Sequence, residues 1–178
     1  HFSASFAEKL TENTQELNKL EGDSLARYGS GLLPVDHKLF ENRASPVFSY
    51  PYDRTKEALD KMKKTNEWDK CHGLRLKYVN PSNGGHAIPT MATFMQLIPK
   101  SFSGNSYRST DGTIYSVVEG KGKTKINNEE YSWGKGDIFV VPPWAKISHE
   151  TIDESILFSF SDRPVQELLG LFREKIYK

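Results

Sequence analysis

Short runs in which apolar and β-branched residues alternate with polar ones dominate the chain from residue 74 onward. Glycine, proline, asparagine and aspartate separate these runs, as they do between the strands of antiparallel sheets. The runs predict strands over residues 74–80, 90–98, 113–120, 123–127, 137–142 and 155–161. Because no helical pattern lies between them, they favour an antiparallel sandwich or barrel.

Apolar residues spaced three or four apart predict helices on both sides of this strand-rich region. One covers residues 5–20, and a second begins with Asp53 as its cap and runs to Lys64. A third begins at Asp162 and Pro164 and carries an apolar stripe. We expect the stripe to cover a sheet face, with a subunit interface as the alternative. It consists of Val165, Leu168, Leu169, Phe172 and Ile176.

The segment between the first two helices has no regular period, but it is too apolar for a free linker. Residues 21–51 are rich in glycine, proline and serine and still carry many large apolar side chains. We therefore expect an extended arm that packs on this domain or on a partner. The predicted organisation is an N-terminal helix and arm over residues 1–51, then one domain with a terminal helix over residues 52–178.

Composition restricts the classes of partner and compartment. The 24 basic and 23 acidic residues form no basic stripe along the chain, so we expect no nucleic acid partner. No apolar run approaches the roughly 20 residues that span a membrane, so we expect no membrane partner. The single cysteine, Cys71, permits no intrachain disulfide, and no leader pattern is present, which favours the cytoplasm. We expect Cys71 to be an inert thiol, because His72 beside it is no defined base.

The segment from Tyr107 to Ile147 has the spacing of the two cupin motifs but lacks their metal ligands. Gly120, Gly136 and Pro142 fit the scaffold positions of those motifs. The positions that hold histidine or glutamate in metal-binding cupins are Tyr107, Ser109, Thr113 and Ile147. Hydroxyl groups bind divalent metals weakly and isoleucine not at all, so we predict no metal and no catalytic residue here. The predicted fold is mainly β, a cupin (double-stranded β-helix or jelly-roll barrel) with flanking N-terminal and C-terminal helices.

Three other residues have chemistry that the motif does not use. His149 lies two positions after Ile147, so it shares the inward face and is expected to be a hydrogen-bonded core residue or to line a small polar cavity with Tyr107. Arg108 alternates with Tyr107, which places it on the opposite face as a surface charge. His86 follows two glycines on a predicted loop and is expected to be solvated.

Longer stretches resemble one particular family. They are EGDSLARYGSGLLPV (21–35), SPVFSYPYDRTKEAL (45–59), LRLKYVNPSNGG (74–85), TIYSVVEGKGKTKI (113–126), DIFVVPPW (137–144) and ILFSFSDRPVQELLGLFRE (156–174). They resemble the C-terminal half of gentisate 1,2-dioxygenases and of their salicylate and 1-hydroxy-2-naphthoate relatives. Where family members often have a pattern like HRHTDST, this chain has YRSTDGT. The resemblance therefore implies no second metal site.

The resemblance also implies a division of roles. Members are bicupins of aromatic compound catabolism, in which Fe(II) held by three histidines binds an aromatic hydroxy acid and dioxygen and the ring is cleaved. The resemblance places that iron in an N-terminal cupin outside these residues. It makes residues 1–51 an inter-cupin arm and residues 52–178 a C-terminal cupin domain. The implied partners are the N-terminal cupin half and other subunits of a homo-oligomer.

Three functional hypotheses follow. In the first, the chain is a metal-free packing and oligomerisation half of a ring-cleaving dioxygenase, inactive alone; the opening His1 in place of methionine is consistent with a fragment. In the second, it is an active iron cupin with atypical ligands that include His149. In the third, a metal-free cupin holds a small carboxylate with Tyr107, Arg108, Ser109 and His149. Iron content and oxygen uptake on gentisate distinguish the first two.

Overall fold

The computed structural model describes residues 20–35, 44–65 and 67–177. The helices are α1 (Asp23–Tyr28), α2 (Tyr52–Met62), which continues into a 3₁₀ turn (Lys63–Thr65), and α3 (Arg163–Leu168). The strands are β1 (Leu74–Lys77), β2 (Ala92–Ile98), β3 (Tyr107–Ser109), β4 (Thr113–Glu119), β5 (Lys121–Ile126), β6 (Glu129–Gly134), β7 (Ile138–Val141), β8 (Ile147–Thr151), β9 (Ser155–Ser161) and β10 (Glu174–Ile176).

The strands form two antiparallel sheets, which we call the front and back sheets. The front sheet has the order β1-β2-β9-β4-β7, and the back sheet has the order β10-β3-β8-β5-β6. The sheets stack as a jelly roll and do not close into a barrel. The mainly β, jelly-roll prediction is therefore confirmed, in an open form.

Gly120 is the single residue between β4 and β5, where the chain passes from the front sheet to the back sheet. Its φ is +84°, in the left-handed region that disfavours side chains. A Cβ at this position would lie 2.6 Å from the carbonyl oxygen of Glu154 and 2.7 Å from the Cα of Ser155. The crossing therefore has room only for glycine.

Two apolar clusters hold the fold together. The inner cluster lies between the sheets and includes Tyr115, Val117 and Leu157. The outer cluster lies under α2, where the fully buried Leu59 packs with residues of β1, β2 and β9. The predicted second helix is therefore present, although Pro51 occupies the N-cap position and Asp53 lies in the first turn without a capping hydrogen bond.

The strands predicted from β-branched runs are present with altered ends, but sequence patterns missed others. The missed strands are β3, β6, β8 and β10. They are short or polar, and most residues of β6 and β10 are exposed. Strands of this kind are fixed by pairing with neighbours and not by their own propensity.

The terminal helix was predicted too long. α3 ends at Leu168, and Gly170 then adopts a φ of +68°, a conformation typical of the end of a helix. The chain continues as β10, whose Ile176 pairs with Tyr107 of β3. Leu168 is 86% and Leu169 63% exposed, so the predicted stripe does not cover a sheet face.

The helix predicted over residues 5–20 falls almost wholly outside the described residues. The predicted arm contains α1, and Ser24 in this helix accepts a hydrogen bond from the backbone N–H of Phe48 at 3.1 Å. Tyr50 anchors the end of the arm to the domain, because its hydroxyl donates to the carbonyl oxygen of Val79 at 2.6 Å. No helix in the described ranges is long and apolar enough to span a membrane.

Candidate functional site between the sheets

The positions expected to hold metal ligands lie on strands that flank the space between the sheets. Tyr107 and Ser109 are on β3 and Ile147 is on β8 of the back sheet, whereas Thr113 begins β4 of the front sheet. Tyr107 and Ile147 are direct cross-strand partners. The fold therefore gathers these positions, as the motif spacing predicts.

Their chemistry does not fit an Fe(II) ion. The hydroxyl of Tyr107 lies 2.8 Å from the hydroxyl of Tyr115, and burial raises the pKa of Tyr107 well above its usual value, so it remains a neutral phenol. Ile147 is 2% exposed and belongs to the inner apolar cluster. Over residues 20–35, 44–65 and 67–177, no three histidine, cysteine or acidic side chains form a group that could hold a metal.

His149 lies on β8 and is fully buried between the sheets. Its Nδ1 is 2.8 Å from Oγ1 of Thr124, and the same oxygen accepts a hydrogen bond from Nε1 of Trp133 at 2.8 Å. Because the indole can only donate, and the described residues offer the Thr124 hydroxyl proton no other acceptor, we assign that proton to Nδ1 of His149. The imidazole proton is then on Nε2, which is buried without a partner. Burial, and secondarily the charge of Arg75, lower the pKa of His149 to about 3.

A second imidazole, His72, lies next to the first motif position. Its ring meets the ring of Tyr107 edge-on, with 4.2 Å between the centroids, and its Nδ1 is buried without a partner. Burial, followed by the charge of Arg75, lowers the pKa of His72 to about 2, so it is neutral. Burial also raises the pKa of the Cys71 thiol, which matches the inert thiol expected from the sequence.

Arg75 brings a positive charge to this space. Leu74 and Leu76 pack with the outer cluster, so Arg75 between them faces the back sheet. Its guanidinium lies 3.9 Å from the ring centroid of Phe94, and its Nε is buried without a partner. The cross-strand neighbour Gln96 is fully buried, and neither its amide oxygen nor its amide nitrogen has a partner.

A second arginine, Arg163, lies close by but is neutralised. Its Nε is 3.3 Å from Oδ2 of the buried Asp111, and its guanidinium also lies 5.6 Å from the Phe94 ring centroid. Burial alone would raise the pKa of Asp111, but the Arg163 guanidinium holds it below its usual value. The ionised pair therefore adds no net charge between the sheets.

The other two residues singled out from the sequence lie elsewhere. Arg108 is held near two rings, 5.4 Å from the centroids of both Trp144 and Tyr177, and alternation along β3 directs it away from Tyr107. It is thus packed on the outer face and is not available to a ligand between the sheets. The prediction that His86 is solvated is wrong, because its side chain is only 14% exposed and its Nε2 lies 3.0 Å from Glu167.

Sequence reasoning missed Arg75, Gln96 and His72. A signal for Arg75 existed, since two leucines flank it in a strand and must share the opposite face. Gln96 likewise interrupts an otherwise apolar run in β2. His72 carried no such signal, because it lies in a turn, where its backbone N–H donates to Oδ1 of Asp69 at 2.7 Å.

Comparisons with known proteins identify relatives over almost the whole chain. No protein-family model matches it. The chain is 51% identical over 173 residues to gentisate 1,2 dioxygenase 1 of Aquipseudomonas alcaligenes. The matched region covers 97% of this chain and 50% of that protein. It is 39% identical to 5-aminosalicylate 1,2-dioxygenase of Comamonas sp over 74% of this chain and 36% of that protein.

A solved structure agrees with this result. Salicylate 1,2-dioxygenase from Pseudaminobacter salicylatoxidans superposes with a TM-score of 0.79 at 29% identity, over 86% of this chain and 45% of that one. The chain spans half the length, or less, of these relatives. It belongs to the gentisate 1,2-dioxygenase family and corresponds to one cupin half of such a protein.

Proposed function

We propose that this chain is the C-terminal cupin half of a gentisate 1,2-dioxygenase-like enzyme, that it holds no metal, and that it serves to pack and oligomerise the enzyme. The parent enzyme would cleave the ring of an aromatic hydroxy acid in the cytoplasm, with Fe(II) bound by its N-terminal cupin. The names of the relatives and their partial coverage support this assignment. On its own, the chain would not turn over substrate.

One observation carries the metal-free part of the proposal. The first motif position is a neutral phenol, Tyr107, whose hydroxyl is already hydrogen-bonded to Tyr115, and the last is the buried Ile147. Neither can donate an electron pair to iron as imidazole does. With Ser109 and Thr113 as the remaining donors, only weak hydroxyl ligands are left.

The packing role is supported by apolar side chains that the described part of the chain leaves exposed. Ile138 and Val140 project from the outer face of β7, at the edge of the front sheet, and are 70% and 57% exposed. Phe48 on the arm is 95% exposed. An exposed apolar sheet face is a candidate contact surface for another protein domain. We assign the β7 face to the N-terminal cupin half.

The test combines metal analysis with reconstitution. The chain is expressed alone, and also together with the N-terminal half of the Aquipseudomonas alcaligenes relative, and both preparations are loaded anaerobically with Fe(II). We expect iron and oxygen uptake on gentisate only when both halves are present. Stoichiometric iron with turnover by this chain alone would contradict the proposal and favour an iron cupin with atypical ligands.

A pair of variants tests the interface separately. Val140→Asp should weaken the complex of the two halves in size-exclusion chromatography, because it buries a charge against the partner. Ile152→Asp is the matched control, since Ile152 is a similarly exposed apolar residue, at 59%, on the turn after β8. Equal effects of the two substitutions would show that the β7 face is not the contact.

A further inference from the structure

Three positively charged side chains lie side by side on the outer face of the back sheet. Lys175 of β10 is the direct cross-strand partner of Arg108 of β3. On the other side of β3, Tyr107 pairs with Ile147 in an antiparallel ladder, so Lys146 lies opposite Arg108. Since neighbouring strands are about 4.8 Å apart, the three residues form a row of roughly 10 Å across three strands.

Two aromatic rings hold these charged groups. The Tyr177 ring centroid lies 4.5 Å from Nζ of Lys146 and 5.2 Å from Nζ of Lys175. The guanidinium carbon of Arg108 lies 5.4 Å from the Tyr177 centroid and 5.4 Å from that of Trp144. We call the three cations and two rings the cationic face. A ring attracts cations through its π-electrons but carries no net charge, so the three positive charges remain unbalanced.

The cationic face is open to solvent, and the described residues do not neutralise it. Trp144 is 43% exposed, and Lys175 is exposed on the edge strand β10. Within the described ranges, no acidic side chain forms an ion pair with any of its three cations. Elsewhere on the same sheet face, Lys123 is paired with Glu130 at 2.7 Å between Nζ and Oε1.

Three destabilising features coincide at this face. Like charges lie directly opposite each other at Lys175 and Arg108, an arrangement that weakens strand pairing. The Nε of Arg108 is buried without a hydrogen-bond partner. Trp144 has a φ of +63°, which is rare for a bulky residue. Local features of this kind concentrate where a protein binds a ligand or partner.

From this arrangement we propose that the cationic face binds an acidic segment of a partner protein through two or three carboxylates. Carboxylates form charge-assisted hydrogen bonds with both guanidinium and ammonium groups, and such bonds would neutralise the row. The face belongs to the back sheet, whereas the β7 face assigned to the N-terminal cupin half belongs to the front sheet. The proposal therefore adds a second contact surface and requires nothing about iron.

The shape of the face favours a protein segment over a small anion. Small ligands bind in concave pockets that surround them, whereas this is the outer surface of a sheet. A row of roughly 10 Å across three strands is also wider than one phosphate or one carboxylate group. An extended peptide places alternate side chains about 7 Å apart on one side, so two of its carboxylates can contact the row together.

The surroundings of the face argue against a nucleic acid. Alternation and pairing place Glu130 and Glu150 on the same outer face of the back sheet. These carboxylates bound the positive region and would repel a phosphate backbone that extended beyond it. The Tyr177 ring is already in contact with three cations, so it is not a free platform for a base.

The test measures binding of labelled peptides to the whole chain by fluorescence anisotropy at low ionic strength. One peptide alternates three glutamates with serines, and its control has glutamines in place of the glutamates. We expect the glutamate peptide to bind about five- to a hundredfold more tightly, the effect of two or three ion pairs, and more weakly as salt is added. Equal binding of the two peptides would overturn the proposal.

Competitors distinguish the possible anions. Inorganic phosphate and a short thymidine oligonucleotide with the same number of negative charges are added to the complex with the glutamate peptide. We expect neither to displace the peptide when present at the peptide's own concentration. Displacement by either one would assign the face to a phosphate ligand and contradict a carboxylate-bearing partner.

Variants locate the contact. The double variant Lys146→Gln with Lys175→Gln should weaken binding of the glutamate peptide about three- to thirtyfold, because it removes two ion pairs. The control is Lys61→Gln with Lys64→Gln, which removes the same charge from exposed positions at the end of α2. Equal affinity of the two double variants would show that the peptide does not bind at the cationic face.

A second measurement uses the wild-type chain and does not depend on how variants fold. The indole N–H resonance of Trp144, assigned with Trp144→Phe, should shift on saturation with the glutamate peptide. The indole resonance of Trp133, which is 5% exposed between the sheets, should not move. An unmoved Trp144 resonance under saturation would contradict the site. Iron content decides the proposed function, whereas peptide binding decides this inference, so the two can fail separately.

Discussion

The hydroxyl groups of Tyr107 and Tyr115 lie 2.8 Å apart, and the hydrogen bond between them joins the back sheet to the front sheet. Tyr107 is 6% and Tyr115 1% exposed, so neither hydroxyl reaches water easily when its partner is removed. An intersheet hydrogen bond thus occupies the first ligand position of the cupin motif, where a metal would otherwise link the strands.

We expect Tyr107→Phe to lower the free energy of unfolding by about 1–3 kcal/mol, because it leaves the Tyr115 hydroxyl buried and unpaired. The double variant with Tyr115→Phe should lose less than the sum of the single losses, since no hydroxyl then lacks a partner. Urea unfolding measures both. Tyr131→Phe is the control, because this tyrosine is 44% exposed and its hydroxyl bonds to Glu129 at the surface. Additive losses in the double variant would argue against the pair.

Restoring one motif histidine should not restore iron. Ile147→His adds a single imidazole across from Tyr107, and one strong ligand with weak hydroxyl neighbours makes a weak site. Elemental analysis after anaerobic Fe(II) loading and gel filtration should therefore find far less than one iron per chain. Tight, stoichiometric iron in this variant would mean that the motif has been placed in the wrong register.

The two ends of the domain should differ in their response to truncation of leucine. Leu59→Ala should cost about 2–5 kcal/mol, because Leu59 is fully buried under α2. Leu168→Ala should change the free energy of unfolding by less than about 0.5 kcal/mol, because Leu168 is 86% exposed. Chemical unfolding of the isolated chain measures both, and a large loss for Leu168→Ala would show that α3 packs more tightly than described.

Stability should fall as the pH is lowered below the ordinary pKa of histidine. The folded-state pKa values of His72 and His149 are lowered to about 2 and about 3, mainly by burial, from 6.5. Between these values and 6.5 the unfolded chain binds more protons, so stability is complete above pH 6.5 and is lost progressively below it. The expected slope is about 1.4 kcal/mol per pH unit for each histidine.

Unfolding free energies between pH 4.5 and 7 measure this slope, and His149→Asn should make it shallower. An unchanged slope in His149→Asn would mean that this imidazole is protonated in the folded chain.

Most of the strands were predictable because alternation and β-branched residues report which face of a strand is buried. The polar strands β6 and β8 were not, since Trp133 and His149 are buried there by pairing with β5, which local propensity does not encode. The terminal helix was overpredicted because a helical spacing of apolar residues continued past Gly170, to Phe172 and Ile176, although the conformation of Gly170 ends α3.

The candidate site was predictable only in part. Motif spacing correctly indicated that Tyr107 and Ile147 would meet, because that depends on strand register. It gave no indication of Arg75, which comes from β1, outside the motif. Arg75 faces the interior because α2 packs on the opposite face of β1. The local sequence of β1 does not show which of its faces α2 covers.

At Gly120 the cupin motif meets a requirement of the chain's path and not of metal binding. Residue 120 must be glycine because backbone atoms of Glu154 and Ser155 would collide with any Cβ there. This holds whether or not a metal is bound nearby. A sequence can therefore keep glycine at this position for mechanical reasons alone. In this chain Gly120 identifies the architecture, and the nature of the site depends on the residues at the ligand positions.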